Sequence, residues 1–516
     1  MANNNTRFQQ DLQSFCDATE KFYKKELNVA EYKKISGRYG SYAQRGGSSS
    51  MLRLRLAGGE INKENLKFIA DSIETYQISL VHFSTCQTVQ LHNLSKAQVC
   101  ALAKEAYSHG IITLGGGGDY PRNVMCSPLS GIQKGEPFDV LPYAKEAARY
   151  LIGLIDKVKL PRKLKVCFSN NRENLTHATF RDLGFVATSQ NTFDVYCAGG
   201  LGRSPRMGVM VASGISPAQT LYYVKAMVDT FVAYGNYENR AKSRTRFLQE
   251  SLGVEGLRKA YQEKLDEALQ EKGLDIQVSS TRIEKTRLKE KDEETLLVHP
   301  RILPQKQDGL YTVSYHPIGG CPDPGFFRTI YNAILPMEDV ALRLSPEEGM
   351  YIVNLTAAEA KNILSLTEDG AQTPFESSVA CIGASICQIG ARDSQRLLKS
   401  CIERVRQEHF PEQALPKIRI SGCPSSCSAH PVATLGFRGG VKQTPDGPKP
   451  AFAVYEHGCE RQGQEQFGTE LGIMAESEIP GFLVDLGRET TARGMDYSQF
   501  WNNCHDVFLE IANRHM

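Results

Sequence analysis

Leucine and arginine alternate through Met51–Leu56, which predicts a strand with Leu52 and Leu54 on one face and Arg53 and Arg55 on the other. Gly58 and Gly59 end the alternation, and the apolar spacing then becomes that of an amphipathic helix running to Ile73. The pattern returns 261 residues later, where Val313–Ile334 also passes from alternating residues through Gly-Gly into an amphipathic helix. At the same offset Asn93-Leu94-Ser95 matches Asn354-Leu355-Thr356, each with a Ser or Thr placed to cap a following helix. Leu160-Pro161 matches Leu415-Pro416 before a short strand, and Leu183-Gly184-Phe185 matches Leu435-Gly436-Phe437, at offsets of 255 and 252. Four matches in one order, at a nearly constant offset, predict an internal duplication with insertions between the units.

Each half is expected to hold a strand–helix–strand–helix unit and then a larger unit of alternating strands and helices, an α+β fold with mixed sheets. The boundaries read as an N-terminal extension at 1–49, the smaller units at 50–110 and 306–370, the larger ones at 111–250 and 371–516, and a helix with a linker at 251–305. Ser216-Pro217 predicts a capped helix start with proline in the first turn. The charge-rich run over 239–295 predicts a helix followed by the linker between halves.

At 516 residues the chain has room for two to four domains, and a formal net charge of +2 gives no overall case for nucleic-acid binding. No stretch approaches the roughly 18 apolar residues of a membrane span, and the N-terminal run has no apolar segment before a cleavage site. Fourteen cysteines without a secretory signal point to a reducing cytoplasm rather than a disulfide framework. Ten of them, Cys86 included, sit among apolar or helical neighbours and read as buried thiols. The other four pair up: Cys381 and Cys387 stand as C-x5-C, and 35 residues on Cys423 and Cys427 stand as C-x3-C in Gly-Cys-Pro-Ser-Ser-Cys. Two short-range thiolate pairs brought together by folding can hold a cubane iron–sulfur cluster, and small residues let the second turn approach it closely. The same thiols could instead hold a structural zinc, although zinc knuckles are usually tighter.

The glycine run Gly115–Gly118, ahead of Arg122, lacks the Gly-Lys-Ser/Thr of a P-loop, and Ala198–Gly208 lacks the spaced glycines of a dinucleotide fingerprint. Such glycines are expected to let backbone approach a large flat ligand. Arg162, Lys163 and Lys165 crowd into Pro-Arg-Lys-Leu-Lys before an apolar strand, which in isolation reads as an exposed strand start.

Together these residues resemble the ferredoxin-dependent sulfite and nitrite reductase family over about residues 35–516, through CIGASIC, GCPSSC, PRKLK, GDYPRNV, and MLRLRLAGGEI followed by QTVQLHNL. The resemblance implies a pseudo-two-fold fold, each half a ferredoxin-like lobe followed by a larger α+β lobe. It also implies a sirohaem whose iron shares a thiolate with a [4Fe–4S] cluster. Cys381, Cys387, Cys423 and Cys427 would ligate the cluster, with Cys427 as the bridge. Arg53, Arg122, Lys163 and Lys165 would face the substrate, arginine holding its proton and lysine able to lose one and reload. Arg55, Gln90, His92, Arg162, Arg203 and Arg206, with the Arg240–Arg246 cluster, would compensate the sirohaem carboxylates. The implied reaction is the six-electron reduction of sulfite to sulfide, or of nitrite to ammonia. Electrons would come from ferredoxin or a similar small carrier, since no flavin or nicotinamide module is visible.

Two positions depart from the family pattern. Cys86 stands where the family generally carries Arg, so one sirohaem carboxylate partner is missing or supplied from elsewhere. Gly117 stands where some sulfite reductases carry a cysteine crosslinked to tyrosine, so no crosslink to Tyr42 is expected. Lys165 leans toward sulfite, because nitrite-type members tend to carry Asn there and added positive charge suits a dianion. A non-catalytic iron–sulfur or zinc protein is the distant alternative, and a metal staple has no use for the basic set.

Overall fold

The structure, a computed structural model, describes residues 2–278 and 297–516, so part of the expected linker lies outside the described residues. Leu52 and Leu54 are fully buried in the strand Ser50–Arg55, as their alternation requires. That strand belongs to a four-stranded antiparallel sheet in the order Ser41–Ala43, Ser50–Arg55, Thr88–Leu94, Val81–Ser84. The second half repeats the order with Ile302–Pro304, Tyr311–Tyr315, Met350–Leu355 and Ala341–Leu344. Glu60–Ile61 of the first half extends this second sheet, pairing Ile61 with Leu342 and Glu60 with Arg343. The helix Lys63–Thr75 packs on its counterpart Phe326–Ile334, and both sheets share one apolar core.

Two details differ from the sequence expectation. The second strand of each small unit is an antiparallel hairpin, closed through the positive-φ residues Gln87 (53°) and Glu348 (66°). The edge strands Ser41–Ala43 and Ile302–Pro304 also fall outside the boundaries drawn at 50 and 306. Gln87 then donates to Cys126 O at 2.8 Å, and at the matching position Glu348 accepts from Ala380 N at 3.1 Å, so each hairpin turn fastens the small unit to the large one.

Each larger unit is a five-stranded sheet of one topology. Met125–Cys126, Val166–Ser169 and Leu183–Ala187 run parallel, followed by antiparallel Phe193–Cys197 and Val209–Ile215. Val379–Ala380, Ile418–Ser421 and Leu435–Thr444 do the same, followed by Gly447–Glu456 and Thr469–Ala475. Val166 pairs with Leu183 as Ile418 pairs with Leu435, which fixes the offset at 252 from this point. The change from 255 places three additional residues, Arg162-Lys163-Leu164, in the first half alone and aligns Lys165 with Lys417.

Ser95 and Thr356 form capping boxes with Gln98 and Glu359, as their spacing predicted. Ser216 does not cap: Pro217–Gln219 is a turn of 3-10 helix, and the α-helix begins at Thr220. Among the described residues no helix is long and apolar enough to cross a membrane.

Candidate anion and cluster site

Arg53 and Arg122 converge on one carbonyl. Arg53 donates to Gly116 O, and Arg122 donates to Gly116 O and Gly118 O, both at 2.7 Å. Arg55 donates to Leu114 O at 2.6 Å and Arg122 O at 2.8 Å. The glycine run is thus an acceptor platform for guanidinium groups. Gly115 has φ 72°, and a Cβ there would lie 2.7 Å from Arg55 Nη1. A Cβ on Gly116 would lie 2.8 Å from Thr113 O, so these glycines permit close packing within the protein rather than the approach of a flat ligand. Arg55 is only 5% exposed and braces this loop instead of reaching a cofactor.

Lys163 and Lys165 sit in the longer loop, partly buried. Lys165 N donates to Asp182 Oδ2 at 2.8 Å, and Asp182 also accepts from Arg244 at 3.0 Å and from Thr245 Oγ1. Asp182 therefore holds the loop's backbone, and neither ammonium has a carboxylate partner among the described residues. Burial, then Arg244, Lys165 and Arg122, drives Lys163 well below the usual lysine range. Burial also lowers Lys165, with Cys86 opposing and Arg181 adding. At Cys86 burial opposes ionisation, but Lys165, Arg181 and Arg53 outweigh it and bring the thiol down to about 6.

The duplicate shows what is unusual here. Lys417 takes the place of Lys165, Glu347 takes that of Cys86, and the Lys417 Nζ lies 2.9 Å from both Glu347 oxygens. Buried Arg419 adds contacts to Glu347 at 3.1 Å and Glu460 at 2.7 Å. One half neutralises its lysine with a carboxylate; the other sets Lys165 against the Cys86 thiol and gives Lys163 no carboxylate among the described residues. Unpaired ammonium groups in a desolvated site are costly unless an anion joins them.

The cysteine loops meet this region. Cys381 Sγ accepts from Gly422 N at 3.2 Å and lies 3.1 Å from Ser394 Oγ. Gly422 O takes Ala391 N and Arg392 N at 2.9 Å, stitching the two loops together, while Cys387 N donates to Gly383 O at 2.8 Å. Arg45 pins the first loop across the halves, reaching Cys387 O at 3.1 Å and Gly390 O at 2.6 Å. Thr85 Oγ1 donates to Cys427 O at 2.9 Å, which sets the hairpin turn of Cys86 against the second loop. Burial and then Cys381 push the Cys427 thiol up to about 12, against Lys163 and with Cys423, so these groups lie near one another. Protein atoms crowd the Cys427 thiol on most sides yet leave the residue open to solvent, whereas the other three are partly buried.

Among the described residues no three His, Cys, Asp or Glu side chains converge as a single metal ion requires, which weighs against a compact zinc site. Soft thiols with a backbone N–H donor on sulfur suit an iron–sulfur cluster. The buried Nε atoms of Arg55, Arg122, Arg206, Arg244 and Arg246 have no partner among the described residues and are donors that suit a polycarboxylate.

Other expected residues lie apart or are engaged elsewhere. The His92 ring nitrogens stand 3.3 Å from Gln44 Oε1 and 3.2 Å from Gln90 Oε1, at 1% exposure, so His92 and Gln90 engage each other inside the protein. Burial, then His82 and Arg53, holds the ring neutral, down to about 3. Arg162 and Arg240 both bind Asp119. Arg203 is exposed, and Arg206 faces Glu250 at 3.8 Å. Tyr42 Oη accepts from Gly118 N at 2.7 Å, and a Cβ on Gly117 would stand 2.5 Å from it, but glycine brings no sulfur. Asp182, Arg181 and Arg45 escaped the sequence reading. A cavity of about 440 Å³ lined by Arg172, Arg461 and Gln462–Gln464 contains none of the cation set.

Two family models match in succession: the nitrite/sulfite reductase ferredoxin-like half domain over residues 42–109, and the nitrite and sulphite reductase 4Fe-4S domain over 117–269. Residues 42–109 and 117–269 are thus similar to the two kinds of domain found in nitrite and sulphite reductases. Chloroplastic ferredoxin–nitrite reductase of Zea mays is 26% identical over 417 residues, 77% of this chain and 70% of that protein. The ferredoxin sulfite reductase of Mycobacterium tuberculosis is 24% identical over 442 residues, 82% of this chain and 74% of that protein. The solved structure of Mycobacterium tuberculosis NirA protein superposes with a TM-score of 0.80 at 20% identity, covering 96% of this chain and 94% of that one, and shows the fold. Within the family's duplicated architecture, the 4Fe-4S match falls on the first copy. There the counterpart of Gly422–Cys427 is Asn170–Leu175, which has no cysteine, and the four thiols stand in the second copy.

Proposed function

We propose that this chain reduces sulfite to sulfide with six electrons delivered by ferredoxin or a similar small carrier. In this reading Cys381, Cys387, Cys423 and Cys427 hold a [4Fe–4S] cluster, and Cys427 also ligates a sirohaem. The observation that carries it is the pair of lysines beside Cys427 with no carboxylate partner among the described residues, set against a duplicate in which Lys417 is neutralised by Glu347. When bound, the cluster and sirohaem supply the electrons and the iron at which a small oxyanion is reduced.

The chain's own residues bind the anion and move protons. Arg53 and Arg122 are fixed through Gly116 O, so they present charge without giving up a proton. Lys163 and Lys165, held below the ordinary lysine range by burial and neighbouring cations, can give a proton to a departing oxygen and reload. The unpartnered Nε groups of Arg122, Arg244 and Arg246 offer donors to cofactor carboxylates.

Reduction of nitrite to ammonia is the second reading, supported by the names of the plant relatives. Two adjacent lysines favour the more highly charged anion. Anaerobic steady-state assays with each anion test both, with six electrons consumed per sulfide or ammonia formed. Lys165→Asn should move the ratio of kcat/KM about tenfold toward nitrite, and an unchanged ratio rejects the sulfite preference. Purified protein with neither tetrapyrrole absorption nor iron rejects both readings.

A further inference from the structure

Arg181 is absent from the expected site, yet the fold builds a mount for it. It follows the turn Ala178–Phe180, its Nε donating to Thr176 O at 2.9 Å and its Nη2 to His177 Nδ1 at 3.2 Å. Because Nδ1 accepts from an arginine, the neutral ring carries its proton on Nε2 and donates to Glu460 Oε2 at 2.6 Å. Burial outweighs Glu460 and holds that ring neutral, down to about 4. Arg419 grips both Glu460 oxygens at 2.7 and 2.9 Å, and Asn174 Nδ2 donates to Glu460 O at 2.9 Å. A guanidinium of the first half is thus held by a carboxylate of the second through an imidazole.

The mount stands beside the lysine loop, close enough for Arg181 to act on Lys165 and Cys86. Leu183 N donates to Lys165 O at 3.2 Å and Lys165 N to Asp182 Oδ2 at 2.8 Å, so Arg181 lies at the strand end beside Lys165. Cys86 packs against the small cluster of Met125, Cys167, Ala178 and Val186 under the same corner. Arg181 Nη1 has no hydrogen-bond partner among the described residues. At the offset of 252, Arg181 and His177 become Ala433 and Ala429, so the mount exists only in the half whose loop lysines have no carboxylate partner among the described residues.

We propose that Arg181 is a further anion-binding residue of this cation cluster, offering its free guanidinium edge to an oxyanion, and that His177 and Glu460 are its positioning residues. The proposal rests on the functional reading above. The oxyanion could be the substrate or a carboxylate of the bound tetrapyrrole, and the test separates them.

Full-length wild type, Arg181→Gln, Arg181→Lys and His177→Gln are purified, and three quantities are measured: tetrapyrrole, iron and acid-labile sulfide per chain, the sulfite and nitrite Kd by calorimetry, and kcat and KM. If the substrate is the partner, Arg181→Gln keeps its cofactor content, raises Kd and KM about tenfold and changes kcat less than threefold. If a carboxylate is the partner, tetrapyrrole per chain falls severalfold, and iron falls only by the one atom each tetrapyrrole carries while acid-labile sulfide is retained. Arg181→Lys, which keeps the charge but loses the fork, and His177→Gln should show smaller changes of the same kind and remain informative should the glutamine variant at 181 fail to fold. Unchanged cofactor content, Kd and KM in the folded variants overturns the assignment. A wild type that binds neither anion instead overturns the functional reading, and this proposal with it.

Discussion

Replacing Cys86 with glutamate would install in the first half the charge that its duplicate carries at Glu347. Glu347 meets Lys417 at 2.9 Å through both oxygens, and Cys86 occupies the equivalent turn beside Lys165. A carboxylate there would pair Lys165 and stand one ammonium group away from the bound anion, two hydrogen bonds of about 2.9 Å each. At about 6 Å and an effective dielectric of about 20, two unit charges repel by about 3 kcal/mol. Nitrite, a monoanion, should lose roughly a hundredfold in kcat/KM, and the sulfite dianion, at twice that energy, roughly 10⁴-fold. Cys86→Gln, which has the shape of glutamate and carries neither its charge nor that of the ionisable thiol, is the control. The assay is anaerobic turnover with a reduced viologen dye at two ionic strengths; salt should restore little, because the pair is not open to bulk screening. Cys86→Glu turnover within threefold of Cys86→Gln on both anions would refute the reasoning.

Arg419→Met leaves Glu347 and Glu460 buried against each other and should cost roughly 3–5 kcal/mol in urea unfolding; a loss below about 1 kcal/mol would contradict the bridging role. Burial alone would raise Glu460, but Arg419 and then His177 outweigh it and hold the carboxyl down to about 2 from an ordinary 4.5. Its contribution to stability is therefore complete above pH 4.5 and lost as the pH falls toward 2, so the Tm gap between wild type and Glu460→Gln should close across that window. A gap independent of pH would refute the linkage. Cys427→Ser should abolish turnover and deplete iron and acid-labile sulfide; full iron content with wild-type turnover would remove its role as ligand and bridge.

What was legible in the sequence was local. The alternation of Met51–Leu56 and the Ser95 and Thr356 caps report contacts made within a few residues, and all appear in the fold. The spacing of the four cysteines pointed to a cluster or a zinc, and the fold stitches their two loops together through Gly422. The remainder depends on distant partners. His92 sits in a marked motif, yet its fate is settled by Gln44, just past the edge strand Ser41–Ala43. Arg55 alternates with leucine as Arg53 does, but the carbonyls of Leu114 and Arg122 absorb it. The mount of Arg181 closes through Glu460, 283 residues beyond His177, and no local pattern encodes it. The most useful unread signal was the shift in offset from 255 to 252, which isolates Arg162-Lys163-Leu164 as a feature of one half. Reading the halves against each other, Lys165 with Cys86 and Lys417 with Glu347, would have marked the cations without a carboxylate directly.

The most direct measurement is the position of sulfite in a crystal structure of the reduced, cofactor-loaded enzyme. The anion should lie on the Cys427 side of the cleft, its oxygens about 3 Å from Lys163, Lys165 and Arg122. Sulfite held elsewhere, for instance between Arg172 and Arg461, with Lys163 and Lys165 empty, would contradict the central claim that these two lysines are left without a carboxylate partner in order to receive it.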